Sequence, residues 1–131
     1  LVTGPNFGSG SSREHAPWGL QQFGFEAVVA PSFADIFRSN CAKIGLLCVQ
    51  LDEKVVRQLI ELAEASPETV CTVDLPEQHL SAGEVDADFD FEAHAKHMLV
   101  NGLDQIGLTL EDADAIEAFE ADRPSFMPVT A

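Results

Sequence analysis

The sequence predicts an α/β fold with a parallel strand–helix core and a small antiparallel layer. Short apolar runs at residues 1–4, 26–30 and 46–51 alternate with segments of helical period. Two successive strand–helix–strand units of this kind imply parallel pairing through right-handed crossovers. Beyond Leu51 the pattern changes to period-two alternation at residues 69–74 and 85–91, with turn signals between them, as antiparallel strands require.

Residues 1–4 read as the end of a strand, followed by a glycine-rich turn. A helix is expected from about residue 12 to 23, with Ala16, Leu20 and Phe23 on one face. Residues 26–30 form a short buried strand. Pro31-Ser32 opens a second helix that turns Phe33, Ile36, Phe37 and Cys41 inward, and residues 46–51 make a third apolar strand. Asp52 suits the N-cap of a helix to about residue 65, whose face carries Val55, Val56, Leu59 and Ala63; Ser66-Pro67 ends it. In 85–91, Val85, Ala87, Phe89 and Phe91 fall on one side and Asp86, Asp88 and Asp90 on the other. Pro76-Glu77 and Ala82-Gly83 mark turns. A helix near 93–101 breaks at Gly102. A last helix over about 110–122, with Leu110, Ala113, Ile116 and Phe119 spaced for burial, stops at Arg123-Pro124. Nothing resembling a linker or repeat divides the chain, so residues 1–131 read as one domain. Its first residue is not methionine and lies inside a strand-like segment, so upstream sequence is expected.

A hydrophobic content of 46% speaks against disorder. No apolar run approaches the roughly 20 residues that span a bilayer, and the first ten residues lack the basic and apolar regions of a secretory signal. The net charge is −15, and it is unevenly placed. Three acids (Glu14, Glu26, Asp35) and three bases (Arg13, Arg38, Lys43) cancel within residues 1–51, so the whole excess falls in 52–131. Such a surface repels phosphate backbones and anionic lipid, which argues against nucleic acid and membrane as partners. The near-neutral half is where an anionic substrate approaches at lower cost. Cys41, Cys48 and Cys71 form no C-x-x-C pair and sit in apolar stretches. They read as buried free thiols of a cytoplasmic protein, with no metal or iron–sulfur site in this chain.

The informative stretch is Gly4-Pro5-Asn6-Phe7-Gly8-Ser9-Gly10-Ser11-Ser12-Arg13-Glu14-His15. Its glycines lead from a strand into a helix and place unpaired backbone N–H groups at the mouth of a cleft. It is no dinucleotide fingerprint, because Arg13 stands where a third glycine is needed, and no P-loop, because Gly-Lys-Ser/Thr is absent. A nucleophile elbow of the Gly-x-Ser-x-Gly type is also missing. Ser11 and Glu14 have the spacing of a capping box, so Ser11 has a purely structural reading as well as a chemical one. The same holds for Glu14 and for His15. The helix dipole favours a serine anion by about 0.3–2 kcal/mol, at most about 1.5 pKa units. An alkoxide at neutral pH therefore also needs converging amides and a cation, which Gly8, Gly10 and Arg13 can supply.

Asn6-Phe7-Gly8, Gly10-Ser11-Ser12-Arg13-Glu14-His15-Ala16, Ala30-Pro31-Ser32-Phe33-Ala34-Asp35-Ile36-Phe37 and the run from Asn101 to Leu110 together resemble the swivelling domain of the aconitase superfamily. Within it, the chain is most similar to isopropylmalate isomerase small subunits. The resemblance implies a swivelling β/β/α three-layer domain. It also implies a hydro-lyase subunit, inactive alone, that interconverts 2- and 3-isopropylmalate by dehydration and rehydration in leucine biosynthesis. The partner it implies is a large subunit that bears a [4Fe–4S] cluster, with no cofactor bound by this chain. Ser11 would be the base that takes the carbon-bound proton, Arg13 would grip a substrate carboxylate, Ser12 would hydrogen-bond the substrate, and Gly8 and Gly10 would be backbone donors. A homoaconitase or methylmalate-type dehydratase would use the same residues on another hydroxy diacid. A non-catalytic binding module would instead hold Arg13 in an internal ion pair.

Overall fold

The computed structural model describes residues 1–10, 13–124 and 126. Val2 lies parallel to Val29, tied by the Thr3 N–H to Val29 O (2.9 Å) and the Val29 N–H to Leu1 O (2.8 Å). Strand β1 (Ala27–Ala30) then pairs in parallel with β2 (Leu47–Gln50), with Ala27 opposite Leu47 and Ala30 opposite Gln50. Both expected parallel units are therefore present. Helices α1 (His15–Phe23) and α2 (Asp35–Ile44) make the two crossovers.

Alternation along β1 and β2 sends side chains to two separate cores. Val28 and Cys48 join Phe37, Cys41 and Leu46 beneath α1 and α2. Val29 and Val49 point the other way, into a core with Val56, Leu59, Leu80, Ala82 and Phe89. That second core lies under α3 (Glu53–Ala65) and an antiparallel sheet of β3 (Cys71–Asp74), β4 (His79–Ala82) and β5 (Val85–Asp88). Covering both faces of the parallel strands explains why Ala-Val-Val-Ala and Leu-Cys-Val read as continuous apolar runs. The small antiparallel layer has three strands; β4 lies between the two turns read from the sequence.

Asp52 caps α3, its carboxylate accepting the Lys54 N–H at 2.9 Å. The C-terminal segment carries α4 (Ala93–Asn101), α5 (Gln105–Leu110) and α6 (Ala113–Ala121). Glu92 caps α4 by accepting the His94 and Ala95 N–H groups, bonds that hold its carboxyl below the usual carboxylate value. Lys96 pins α4 to the β3–β4 turn by donating to Pro76 O (2.6 Å) and Gln78 Oε1 (2.9 Å). Among the described residues no helix is long and apolar enough to cross a membrane.

Several faces differ from expectation. Helix α1 starts at His15 rather than near residue 12. An earlier start would put Pro17 in the second turn, where it has no N–H for the Arg13 carbonyl and its ring would strike that oxygen. The Ala16 N–H takes the Arg13 carbonyl instead (3.0 Å), and Pro17 sits in the first turn, fully buried. The buried face is thus Pro17 with Leu20; Ala16 is exposed and Phe23 is 82% exposed. Ile36 likewise faces solvent, leaving Phe37, Asn40 and Cys41 as the buried side of α2. Ala63 is exposed, and Leu62 packs in its place. Cys71 is exposed, unlike Cys41 and Cys48. The last helix begins at Ala113 rather than near residue 110, Leu110 ends a separate helix, α5, that the sequence reading did not mark, and Leu110, Ala113, Ile116 and Phe119 are exposed. Their spacing marks an amphipathic helix, but nothing among the described residues covers it.

His79 makes the antiparallel layer pH-sensitive. Its ring contacts Asp88 (2.7 Å) and Asp86 (2.5 Å), while Asp74 lies opposite it on β3 by register. Hydrogen bonds to Asp88 and then Asp86 raise its pKa. Stabilisation from the protonated ring is complete below the unfolded value and is lost as pH rises through the higher folded value. Urea unfolding between about pH 5.5 and about pH 9 should show wild type losing stability relative to His79→Gln as pH rises. Parallel pH profiles would contradict this.

Candidate active site

The glycine-rich loop leaves the Val2 stub and crosses the end of the parallel sheet above α2. Three residues in the left-handed region shape it: Asn6 (φ 57°), Gly8 (φ 78°) and Gly10 (φ 100°). Asn6 tolerates that region because its short side chain carries little steric penalty there. The loop is seated on the segment between β1 and α2. Ser32 Oγ accepts the Asn6 N–H (2.8 Å), Ser32 O accepts the Phe7 N–H (3.0 Å), and Phe7 O accepts the Ala34 N–H (2.9 Å). Phe7 packs edge-on against Phe37 at 5.3 Å, and Phe33 stacks on Phe37 at 6.4 Å. Asn6-Phe7-Gly8 and Ser32-Phe33 with Phe37, distant in sequence, therefore form one unit.

Gly8 lies at the tightest point of this unit. A Cβ there would stand 2.2 Å from Phe37 Cγ and 2.4 Å from Phe37 Cβ. Gly10 has open space around the same position, so only its backbone conformation asks for glycine. Among the described residues the Gly8 and Gly10 N–H groups donate to no acceptor. Ser11 and Ser12 lie outside the described residues.

The chain resumes at Arg13, which is exposed and makes no ion pair or hydrogen bond through its guanidinium among the described residues. Glu14 occupies the N-cap position of α1 without a side-chain capping bond of its own; the capping box read from the sequence also needs Ser11, which lies outside the described residues. Its carboxylate lies 3.9 Å from Lys43 Nζ, and both side chains are at least half exposed. Such a pair contributes little to stability but links the start of α1 to the end of α2. Gln21 reinforces that contact by donating to Ile44 O (2.9 Å). His15 is exposed and rests edge-on against Trp18 at 5.0 Å.

The structure brings Gly8, Gly10 and Arg13 onto one exposed loop at the start of α1. Two clefts of the described fold, of 390 and 680 Å³, lie elsewhere, between α2 and the α4–α5 segment, and are lined by none of these three residues. A small acid bound at the loop would thus meet a surface on this chain and need a second surface to enclose it. Asn6 and Ser32 were given no role by the sequence, although both stand inside the motifs that mark the segment. The signal was available: an Asn followed two residues later by Gly, and a Ser directly after a strand-ending Pro.

Among the described residues no group of three His, Cys, Asp or Glu side chains is disposed to hold a metal ion. Cys41 and Cys48 are buried beneath α2, and Cys71 is on the antiparallel layer. They do not fit the ligand set of an iron–sulfur cluster.

Comparisons with known proteins agree with the motifs. Residues 1–54 match the family model for the aconitase C-terminal domain, and residues 106–130 match that for the C-terminal domain of the 3-isopropylmalate dehydratase small subunit. The chain is 51% identical over 134 residues to a 3-isopropylmalate dehydratase small subunit from a Nocardioides species, covering 99% of this chain and 66% of that protein. It is 52% identical to one from Streptomyces coelicolor, covering 99% and 66%, and 53% identical to one from Neisseria meningitidis, covering 98% and 61%. The chain thus spans just under two thirds of the length of these relatives. A crystal structure of 3-isopropylmalate dehydratase from Methanocaldococcus jannaschii shares the fold, with a TM-score of 0.58 at 24% identity over 89% of this chain and 65% of that one. The chain belongs to the family of 3-isopropylmalate dehydratase small subunits, built on the aconitase C-terminal domain.

Proposed function

We propose that this chain supplies the proton-transferring and carboxylate-binding side of a 3-isopropylmalate dehydratase, completed by a large subunit. The observation that carries this reading is the Gly8–Gly10–Arg13 loop. Two left-handed glycines whose amides meet no acceptor among the described residues precede, by five and three positions in the chain, an exposed guanidinium with no protein partner among the described residues. An arginine held in an internal pair would have favoured a non-catalytic module.

On this reading Arg13 pairs with a substrate carboxylate, using two parallel N–H donors. Ser12 donates to a second polar group of the acid. Ser11 Oγ takes the proton from the carbon next to the one bearing the hydroxyl, and returns a proton when water adds back in the other sense. The start of α1 at His15 shifts the origin of Ser11's basicity. Dipolar stabilisation fades within the first helical turn, so loop amides and Arg13 supply most of it rather than the helix. A [4Fe–4S] cluster bound by the large subunit would supply a Lewis acid for the departing hydroxyl.

A partner is further supported by the apolar residues that the described fold leaves uncovered, Ile106, Leu110 and Phe119 each being more than 60% exposed. The acidic half repels nucleic acid and anionic lipid, and free thiols suit the cytoplasm. Reconstitution of the full-length small subunit with a large subunit under anaerobic conditions, followed by assay on a panel of hydroxy diacids, tests the reading. Turnover of 2-isopropylmalate above homocitrate- and methylmalate-type acids is expected. Preference for one of those acids would reassign the substrate, and no turnover with an intact large subunit would overturn the enzyme reading.

A further inference from the structure

Two cysteines stand outside the site described above. Cys41 on α2 and Cys48 on β2 are buried in one apolar cluster with Val28, Phe37 and Leu46. Helix α2 ends at Ile44, Gly45 turns the chain through a left-handed conformation (φ 80°), and the Leu46 N–H bonds back to Cys41 O at 3.0 Å. The chain thus doubles back and lays Cys48 against the last turns of the helix it has just left. The two thiols share that cluster and are electrostatically coupled. Donation from Cys41 favours the anion at Cys48 and lowers its pKa, burial opposes this, and the Arg38 guanidinium adds to the lowering. The same interaction, with burial, pushes the Cys41 thiol up.

Cys48 is 4% exposed and Cys41 fully buried. Of the two, only Cys48 lines a 390 Å³ cleft between α2 and α4, together with Arg38, Ser39, Ala42 and Leu99, and this cleft is the route by which a molecule as small as peroxide would meet it. Cys71 offers an internal comparison: it is exposed, but desolvation raises its pKa.

We propose that Cys48 is a peroxide-reactive thiol with Cys41 as its resolving partner, the pair forming a reversible dithiol–disulfide switch between α2 and β2. The Cys48 thiolate attacks one oxygen of hydrogen peroxide. The S–O bond forms, the O–O bond breaks, and hydroxide leaves and takes up a proton to give water. Cys41 sulfur then attacks Cys48 sulfur; the S–S bond forms, the S–O bond breaks, and the Cys41 proton departs with that oxygen as a second water. Peroxide is reduced by two electrons and the dithiol is oxidised by two. A small thiol reductant reverses the bond by exchange. The oxidised form would clamp the end of α2 to the sheet that supports Phe37, the residue on which the glycine loop rests.

The test treats the folded chain with hydrogen peroxide at neutral pH and maps its peptides by mass spectrometry. A Cys41–Cys48 disulfide is expected while Cys71 stays reduced, and dithiothreitol should restore all three thiols. Cys41→Ser should accumulate a sulfenic acid on Cys48 that a cyclic 1,3-dione traps. Arg38→Met removes the guanidinium that helps to favour the Cys48 thiolate and should slow its oxidation severalfold. A second measurement on wild type keeps the proposal testable if that variant does not fold: alkylation of Cys48 should reach half its maximal rate at lower pH than alkylation of Cys71. Oxidation confined to Cys71, or reaction of Cys41 and Cys48 only after denaturant is added, would overturn the proposal, as would coincident alkylation profiles.

Discussion

Ser11→Ala is expected to lower kcat of the reconstituted enzyme about a thousandfold, within the range typical of losing a positioned base. KM should change little, because Arg13 and Ser12 still hold the acid. Thermal stability should also change little, because α1 begins at His15 with Glu14 in its N-cap position, three residues beyond Ser11. Arg13→Lys gives the complementary result. A lysine keeps the charge but loses the planar fork, so KM should rise at the same time as kcat falls. Steady-state kinetics beside thermal melts of both variants separate the two roles. Wild-type kcat in Ser11→Ala would remove the base assignment.

Gly8→Ala is expected to be the most damaging single-methyl change in the loop. The new Cβ would meet the Phe37 ring atom at 2.2 Å, and φ of 78° adds backbone strain. Phe37 cannot retreat easily, because it is buried between Phe7 and Phe33. Strain and overpacking together suggest about 3 kcal/mol. Gly10→Ala meets no neighbour and should cost only about 1 kcal/mol, from its left-handed backbone. Denaturant unfolding of the two variants measures the difference directly. Equal losses would show that Phe37 gives way and that the seat is softer than its packing implies.

The elements that sequence reading placed well are those whose ends carry their own chemistry. Asp52 starts α3 and Gly102 ends α4, and both do so by local hydrogen bonding and left-handed geometry. Strands β1 and β2 were legible because burial on both faces leaves them apolar throughout except at Gln50, the exposed end of β2. Strand β4 was harder to read, because four residues between two turns carry little periodicity. Helix α1 was misplaced at its start because a cap-like Ser11 outweighed Pro17. The exposed face of α6 marks a limit of another kind: spacing reveals that a helix is amphipathic, but not which surface covers it.

The candidate site was legible in residue types and less so in causes. The glycines and Arg13 could be picked out from the linear motif. That Gly8 is required by a ring 29 positions further along could not, since it depends on how α2 packs beneath the loop. Nor could the seating of Asn6 on Ser32, which joins two motifs that only the fold brings together.

The most direct test follows the proton. In the reconstituted enzyme, 2-isopropylmalate dideuterated at carbon 3 should lose one of its two deuterons to water during turnover by wild type. Ser11→Ala should retain the label while still binding the acid with near-normal affinity. Undiminished loss of deuterium in the variant would mean that another group takes the proton, and the proposed chemistry of this loop would be wrong.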